Sequence, residues 1–219
     1  MIGNSTKLLP AKQRAVLLLA LLKNHYPDAH CELNYSSPLE LLIATILSAQ
    51  CTDIRVNLVT PKLFAAFPDA EAYATGDLKK IEKLIHSTGF YHNKAKNIQD
   101  CCRLLLERHQ GQVPRTLQEL TALAGVGRKT ANVVLGNIFE VNEGLVVDTH
   151  VSRLSQRLGL TRKKDPTNIE RVLMSLFPQE EWTLLAHLLI WHGRRRCTAR
   201  NPDCKNCEVR HLCPQIGIG

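Results

Sequence analysis

Leu123-Ala124-Gly125-Val126-Gly127-Arg128-Lys129-Thr130-Ala131 joins two stretches of helical periodicity. Before it, Pro114 and Thr116 announce a short helix carrying Leu117, Leu120 and Leu123; after it, Ala131, Val134, Leu135 and Ile138 recur at helix spacing. Two glycines separated by one residue allow a tight turn and leave backbone N–H groups uncovered at the start of the second helix. Those donors, with the positive helix end, suit one phosphate. Gly-x-Gly alone marks only a turn. Flanked by helices and followed by Arg128 and Lys129, it reads as a phosphate-binding hairpin of residues Gly125, Val126, Gly127, Arg128 and Thr130.

Working outward, the same periodicity runs nearly throughout. Leu39, Leu42, Ile43, Ile46 and Leu47 follow the cap signals Ser36, Ser37 and Pro38. Leu78, Ile81, Leu84 and Ile85 repeat the pattern until Gly89, and another helix is expected from about Asn93 to Arg108. Asp148 opens a helix with Val151, Leu154 and Leu158; Asn168 to Leu176 and Glu180 to Trp191 supply two more. Pro61, inside the Asp53–Phe67 pattern, is expected to kink or split that helix, with Asp53 as its N-cap. Leu145-Val146-Val147 is too short to seed a sheet. The reading is all-α. The apolar run Ala15–Leu22 has basic residues before it but no small-x-small cleavage pattern after it, so a buried helix is expected rather than a secretory signal. No run approaches the roughly 20 apolar residues of a membrane span.

Twenty-eight Lys plus Arg against 20 Asp plus Glu give 219 residues a formal charge of +8. Such an excess points to a polyanion or, more simply, serves colloidal solubility. Aromatic residues are only 5%. That is a poor supply for stacking successive single-stranded bases, so contact with a duplex backbone is the better fit. Of eight cysteines, Cys31, Cys51, Cys101 and Cys102 are scattered and read as buried small apolar residues. Cys197, Cys204, Cys207 and Cys213 crowd together, and four thiolates at those intervals can hold one tetrahedral zinc or one cubane iron–sulfur cluster. Arg194, Arg195, Arg196, Arg200, Lys205 and Arg210 surround them, to balance the centre or grip phosphates.

Two further residues carry chemistry. Lys129, in the first turn after the hairpin, is either a phosphate contact or, uncharged, a nucleophile able to form a Schiff base with a sugar carbon. Asp148, in Val146-Val147-Asp148-Thr149-His150-Val151, is by default an N-cap, a role compatible with facing a cleft. His150 lines the same place or is structural.

The hairpin, with Gly127-Arg128-Lys129-Thr130-Ala131-Asn132-Val133-Val134, resembles the helix-hairpin-helix of DNA glycosylases in its endonuclease III branch, although that family usually has Pro where Ala124 stands. The V-D-T-H segment and the cysteine spacing resemble the same family, over about Leu8 to Pro214. The resemblance implies Lys129 as the nucleophile, Asp148 as the catalytic carboxylate and a [4Fe–4S] cluster on Cys197, Cys204, Cys207 and Cys213. Leu47-Ser48-Ala49-Gln50 resembles a segment whose glutamine fills the gap left by an extruded base, with Phe90 of Gly89-Phe90-Tyr91 as the opposing wedge. Arg194 and His150 join the implied DNA contacts. The implied fold is two helical domains flanking a DNA-binding cleft. One, residues 31–142, is a helical barrel with the hairpin at about 116–139; the other, residues 1–30 and 143–219, carries the cluster loop 197–213.

The expected function is then a bifunctional DNA glycosylase and AP lyase of base excision repair. It would act as an intracellular monomer on duplex DNA bearing an oxidised pyrimidine or an abasic site, without a membrane. An adenine-mismatch glycosylase generally lacks a lysine at the position of Lys129 and carries an extra C-terminal recognition domain, whereas this sequence has Lys129 and stops six residues after Cys213, so that reading is not the expected one. A thymine-mismatch glycosylase, a non-catalytic duplex-binding module and an iron–sulfur electron carrier would each share part of this pattern. The last two leave Lys129 unexplained.

Overall fold

The structure is a computed structural model that describes residues 9–218; Met1 to Leu8 and Gly219, the outer ends of the expected cluster domain, lie outside the described residues. Among the described residues, every regular element is helical. The chain divides into two compact units, a central one of Glu32–Glu143 and a terminal one built from both chain ends, up to Cys31 and from Gly144 onward.

The central unit is built on α2 (Pro38–Leu47). Ser37 caps it by accepting the Glu40 N–H, Pro38 takes the first turn, and the Glu40 carboxylate reaches back to the Ser36 N–H at 2.6 Å. Its residues Leu41 to Leu47 are all buried, so α2 is apolar all round and sits inside the unit. Around it lie α3 (Asp53–Ala66), α4 (Ala70–Thr75), α5 (Leu78–Ile85), α6 (Tyr91–His109), α7 (Leu117–Thr121) and α8 (Arg128–Ile138). The helix α8 packs directly on α2, which fixes the hairpin to the most buried element of the unit.

Several local expectations are corrected here. Pro61 does not split α3, which runs unbroken from Asp53 to Ala66. A proline costs its own N–H bond, and burial of Val56, Thr60 and Leu63 on one face offsets that loss. The N-cap is Thr52, whose side chain accepts the Arg55 N–H, and Asp53 is the first helical residue. Leu123 lies beyond α7, in the turn, where it is still buried. Cys101 and Cys102 are buried, whereas Cys31 and Cys51 are half-buried.

The terminal unit comprises α1 (Ala11–His25), α9 (Thr149–Arg157), α10 (Pro166–Leu176) and α11 (Trp182–Arg195). Its core joins Leu18 and Leu22 of α1 to Leu154, Ile169, Leu173, Leu185, Leu188 and Leu189. The Ala15–Leu22 run is therefore a packed helix face, although Val16 and Leu17 point outward, 63% and 44% exposed. Arg14 ties the start of α1 to the end of α9, its Nη2 donating to the carbonyls of Leu158 (3.1 Å) and Gly159 (2.6 Å). Those carbonyls lie at a helix C-terminus, where a cation is favoured.

Candidate nucleic-acid interface and metal centre

The hairpin of the central unit is made by few bonds. Thr116 caps α7 through the Glu119 N–H, and its hydroxyl donates to the Glu119 carboxylate at 2.6 Å. The Val126 N–H then closes the turn onto the Leu123 carbonyl at 3.2 Å. Gly125 has φ +72°, and a Cβ there would come within 2.8 Å of the Asn97 side chain. Both the backbone and the neighbour demand glycine. Gly127 differs, with φ −87° and open space where a Cβ would be, so the fold itself does not require glycine there. Val126 is 5% exposed, so its side chain anchors the turn and only its main chain is presented.

No side chain caps α8, which begins at Arg128 after Gly127. The N–H groups of its first turn lie among the exposed residues Gly127, Arg128 and Lys129 and half-buried Thr130. This is a ready anion site. The Arg128 guanidinium donates to the Glu143 carbonyl at 3.4 Å.

Two other segments of the central unit share an unusual backbone. Gln50, after the end of α2, has φ 53°, and Phe90, before α6, has φ 48°. Neither is glycine, and such conformations cost about 1–3 kcal/mol each and cluster at functional sites. Phe90 is 66% exposed, so it is not a core anchor.

In the terminal unit, Asp148 is the N-cap of α9, its Oδ1 accepting the Val151 N–H at 2.8 Å. His150, in the first turn of α9, lies 3.2 Å through Nδ1 from Arg153 Nη2. Burial lowers the His150 pKa, while the Asp148 carboxylate opposes the shift. The same Arg153 nitrogen donates to the carbonyls of Gly193 and Cys197, at 3.0 Å each. Thus the helix capped by Asp148 is tied to the first of the clustered cysteines. Lys129 belongs to the central unit and Asp148 to the terminal one.

Cys197, Cys204, Cys207 and Cys213 line one cavity, walled by Leu154, Leu158 and Val209. Three sulfurs have an identifiable neighbour. Arg157 Nη1 is 3.4 Å from Cys197 Sγ, His192 Nε2 is 3.5 Å from Cys207 Sγ, and the Gln215 N–H points at Cys213 Sγ at 3.4 Å. Burial pushes the Cys207 thiol up to about 11 and raises Cys213 as well. At those two positions burial favours the protonated thiol. A thiolate set needs a cationic centre, and the residues fit one: four sulfurs, an apolar wall and N–H donors aimed at sulfur.

The sequence reading missed part of this surround. His192 is 1% exposed, with Tyr26 Oη 3.0 Å from its Nδ1, and Arg157 also donates to the carbonyls of Thr198 (2.7 Å) and Ala199 (2.8 Å). The basic collar is partly committed elsewhere. Arg196 pairs with Asp203 (2.7 Å) and Glu208 (2.6 Å), and Arg195 stacks on Trp191 at 3.5 Å; the side chains of Arg194, Arg200, Lys205 and Arg210 are solvent-exposed.

Comparison with known proteins identifies the family. A family model described as HhH-GPD superfamily base excision DNA repair protein matches residues 43–179. Endonuclease III of Synechocystis sp. is 57% identical over 208 residues, covering 95% of each chain. The chain belongs to the endonuclease III family. Endonuclease III of Bacillus subtilis is 47% identical, covering 86% of each chain. A solved structure of a trapped endonuclease III–DNA covalent intermediate, an estranged-adenine complex, superposes with a TM-score of 0.90 at 45% identity, covering 94% of this chain and 97% of that one. As a member of the endonuclease III family, the chain is a DNA glycosylase with AP lyase activity in base excision repair, and it binds DNA.

Proposed function

We propose that this chain removes oxidised pyrimidines from duplex DNA with Lys129 as nucleophile and Asp148 as its carboxylate partner. The supporting observation is the position of Lys129, exposed in the first turn of an uncapped helix beside the open Gly127. A phosphate held by that turn would bring the neighbouring sugar to the amine. The Lys129 Nζ, as a free amine, attacks C1′; the C1′–N bond breaks and the base leaves with its electron pair and a proton. The attached nitrogen gives up one proton, which goes to the departing base; its lone pair then opens the sugar ring, O4′ takes up a proton from water or through Asp148, and an iminium links Lys129 to C1′. Loss of a 2′ proton then expels the 3′ phosphate by β-elimination, and water releases the enzyme. Asp148 accepts a proton or balances the positive charge that develops on the sugar.

Gln50 and Phe90 enter the duplex on either side of the extruded nucleotide, while Gly125, Val126 and Thr130 offer main-chain contacts and Arg128, His150 and Arg194 add polar ones. Extrusion costs least for a damaged, poorly stacked base. The donor set of Cys197, Cys204, Cys207 and Cys213 fits a [4Fe–4S] cluster, with Arg157 and His192 as hydrogen-bond donors to its thiolates. When bound, such a cluster supplies a fixed anionic centre that organises the loop, and the chemistry at Lys129 needs no electron transfer. The enzyme works inside the cell as a monomer on genomic duplex.

Borohydride trapping on a duplex containing one thymine glycol tests the reading. Wild type is expected to give a covalent adduct and Lys129→Gln none, with duplex binding retained. Base release without an adduct from wild type would replace the lysine with water as nucleophile, and an adduct from Lys129→Gln would remove Lys129 from the mechanism.

A further inference from the structure

We propose that Lys94 is a positioning residue that holds the Gln50 and Phe90 loops in fixed register, so that the two side chains enter the duplex as one fork. The inference rests on the reading of Gln50 and Phe90 as the inserted residues. Lys94 lies in the first turns of α6 and is 5% exposed. Its Nζ donates to the carbonyl of Leu47 at 2.8 Å and to that of Thr88 at 2.8 Å. Leu47 closes α2, three residues before Gln50; Thr88 stands two residues before Phe90. The Lys94 N–H also bonds the Phe90 carbonyl at 3.0 Å. One residue therefore touches the stem of both loops, and α6 supplies its anchor.

A buried amine is an expensive way to fill space. Methionine would pack there without desolvation, so the amine must be retained for its donors. An ammonium carries three N–H groups on one atom and a neutral amine two, so either form can bridge both carbonyls. Burial lowers the Lys94 pKa, with the Cys51 thiol opposing the shift, and the bridge survives in both states. No carboxylate is among the hydrogen-bond partners of Lys94 in the described residues, which sets it apart from an ordinary buried ion pair. Both loops hold a non-glycine residue at positive φ, a conformation that persists only where surroundings over-determine it. The Lys94 bridge is the constraint common to the two.

The test measures single-turnover release of thymine glycol by the full-length, metal-loaded protein from two duplexes. In one the lesion faces adenine; in the other it faces an abasic site, where no partner base is orphaned and little remains for the fork to replace. Lys94→Met is expected to slow the first reaction by about tenfold to 100-fold, the cost of a small misplacement, and the second by much less. Lys94→Gln, which keeps N–H donors, is expected to recover part of the loss. Adding Lys94→Met to Gln50→Ala should cost little beyond Gln50→Ala alone. Equal slowing on both duplexes, or none on the first, would overturn the inference. Loss of cooperative unfolding in both lysine variants would also overturn it, making Lys94 a folding element. If Gln50→Ala and Phe90→Ala leave excision opposite adenine unchanged, the fork reading itself fails. If they slow it and Lys94→Met does not, only the role of Lys94 fails.

Discussion

Asp148 accepts the backbone N–H of Val151 at 2.8 Å, so the carboxylate proposed to act on the sugar also caps its own helix. The two tasks separate by substitution. Asparagine caps a helix about as well as aspartate but carries no charge. Asp148→Asn is expected to keep the wild-type melting temperature while base release falls by about 100-fold or more. Asp148→Ala should lose the same activity and about 1 kcal/mol of stability besides. Thermal unfolding and single-turnover excision on the same preparations check both.

The two glycines of the hairpin should respond in opposite ways. Gly125→Ala forces an L side chain to positive φ and into Asn97, and is expected to cost about 2–4 kcal/mol. Gly127→Ala meets nothing in the protein and should cost no more than about 1 kcal/mol. If a phosphate docks on that turn, the added methyl stands in its way, and duplex affinity should drop by about tenfold, or 1.4 kcal/mol. Denaturant unfolding and a binding titration at fixed salt separate the two.

Arg157 reaches one thiol sulfur and two loop carbonyls from a site 9% exposed. Arg157→Met leaves those acceptors without their donor and should cost roughly 2–4 kcal/mol. Iron per chain after purification, and the absorbance near ~410 nm of an iron–sulfur protein, are expected to fall with it. Arg157→Lys cannot span three acceptors and should fall between.

Stripping the metal should act unevenly. The loop 197–213 carries mostly turns and one short 3-10 segment, Arg210–Leu212, and the bonds from Arg153, Arg157 and Arg196 hold it alongside the centre. Chelation is expected to raise amide hydrogen exchange first across 197–218. The amides of α2 and α8, in the central unit, should exchange as before. Stoichiometric zinc with full activity would defeat the iron–sulfur assignment.

What the sequence disclosed was whatever acts over a few residues. The Ser37-Pro38 start of α2, the Asp148 cap and the turn at Gly125 are local chemistry and were legible. Pro61 does not split its helix because its penalty is local while the burial of Val56 and Leu63 that outweighs it is not. Lys94, Arg14 and Arg157 stand in amphipathic helices where a cation normally marks the wet face. All three are buried, because their partners include carbonyls 40 or more residues away. No periodicity encodes such a bond. Gln50 and Phe90 were singled out by family resemblance, and their positive φ could not have been anticipated, since neither is a residue that favours it.

The terminal unit is closed by a helix from the first 25 residues packing on segments that follow Gly144. During synthesis, α1 leaves the ribosome before any of its packing partners exist. The 112 residues of Glu32–Glu143 must be made first, which at about 5–20 residues per second takes roughly 6–20 s. Over that interval Leu18, Leu19 and Leu22 have no native surface to cover them, and Val16 and Leu17 stay exposed among the described residues of the finished fold. The apolar face of the first helix thus waits longest for its partners, while the central unit can fold in the order in which it is made.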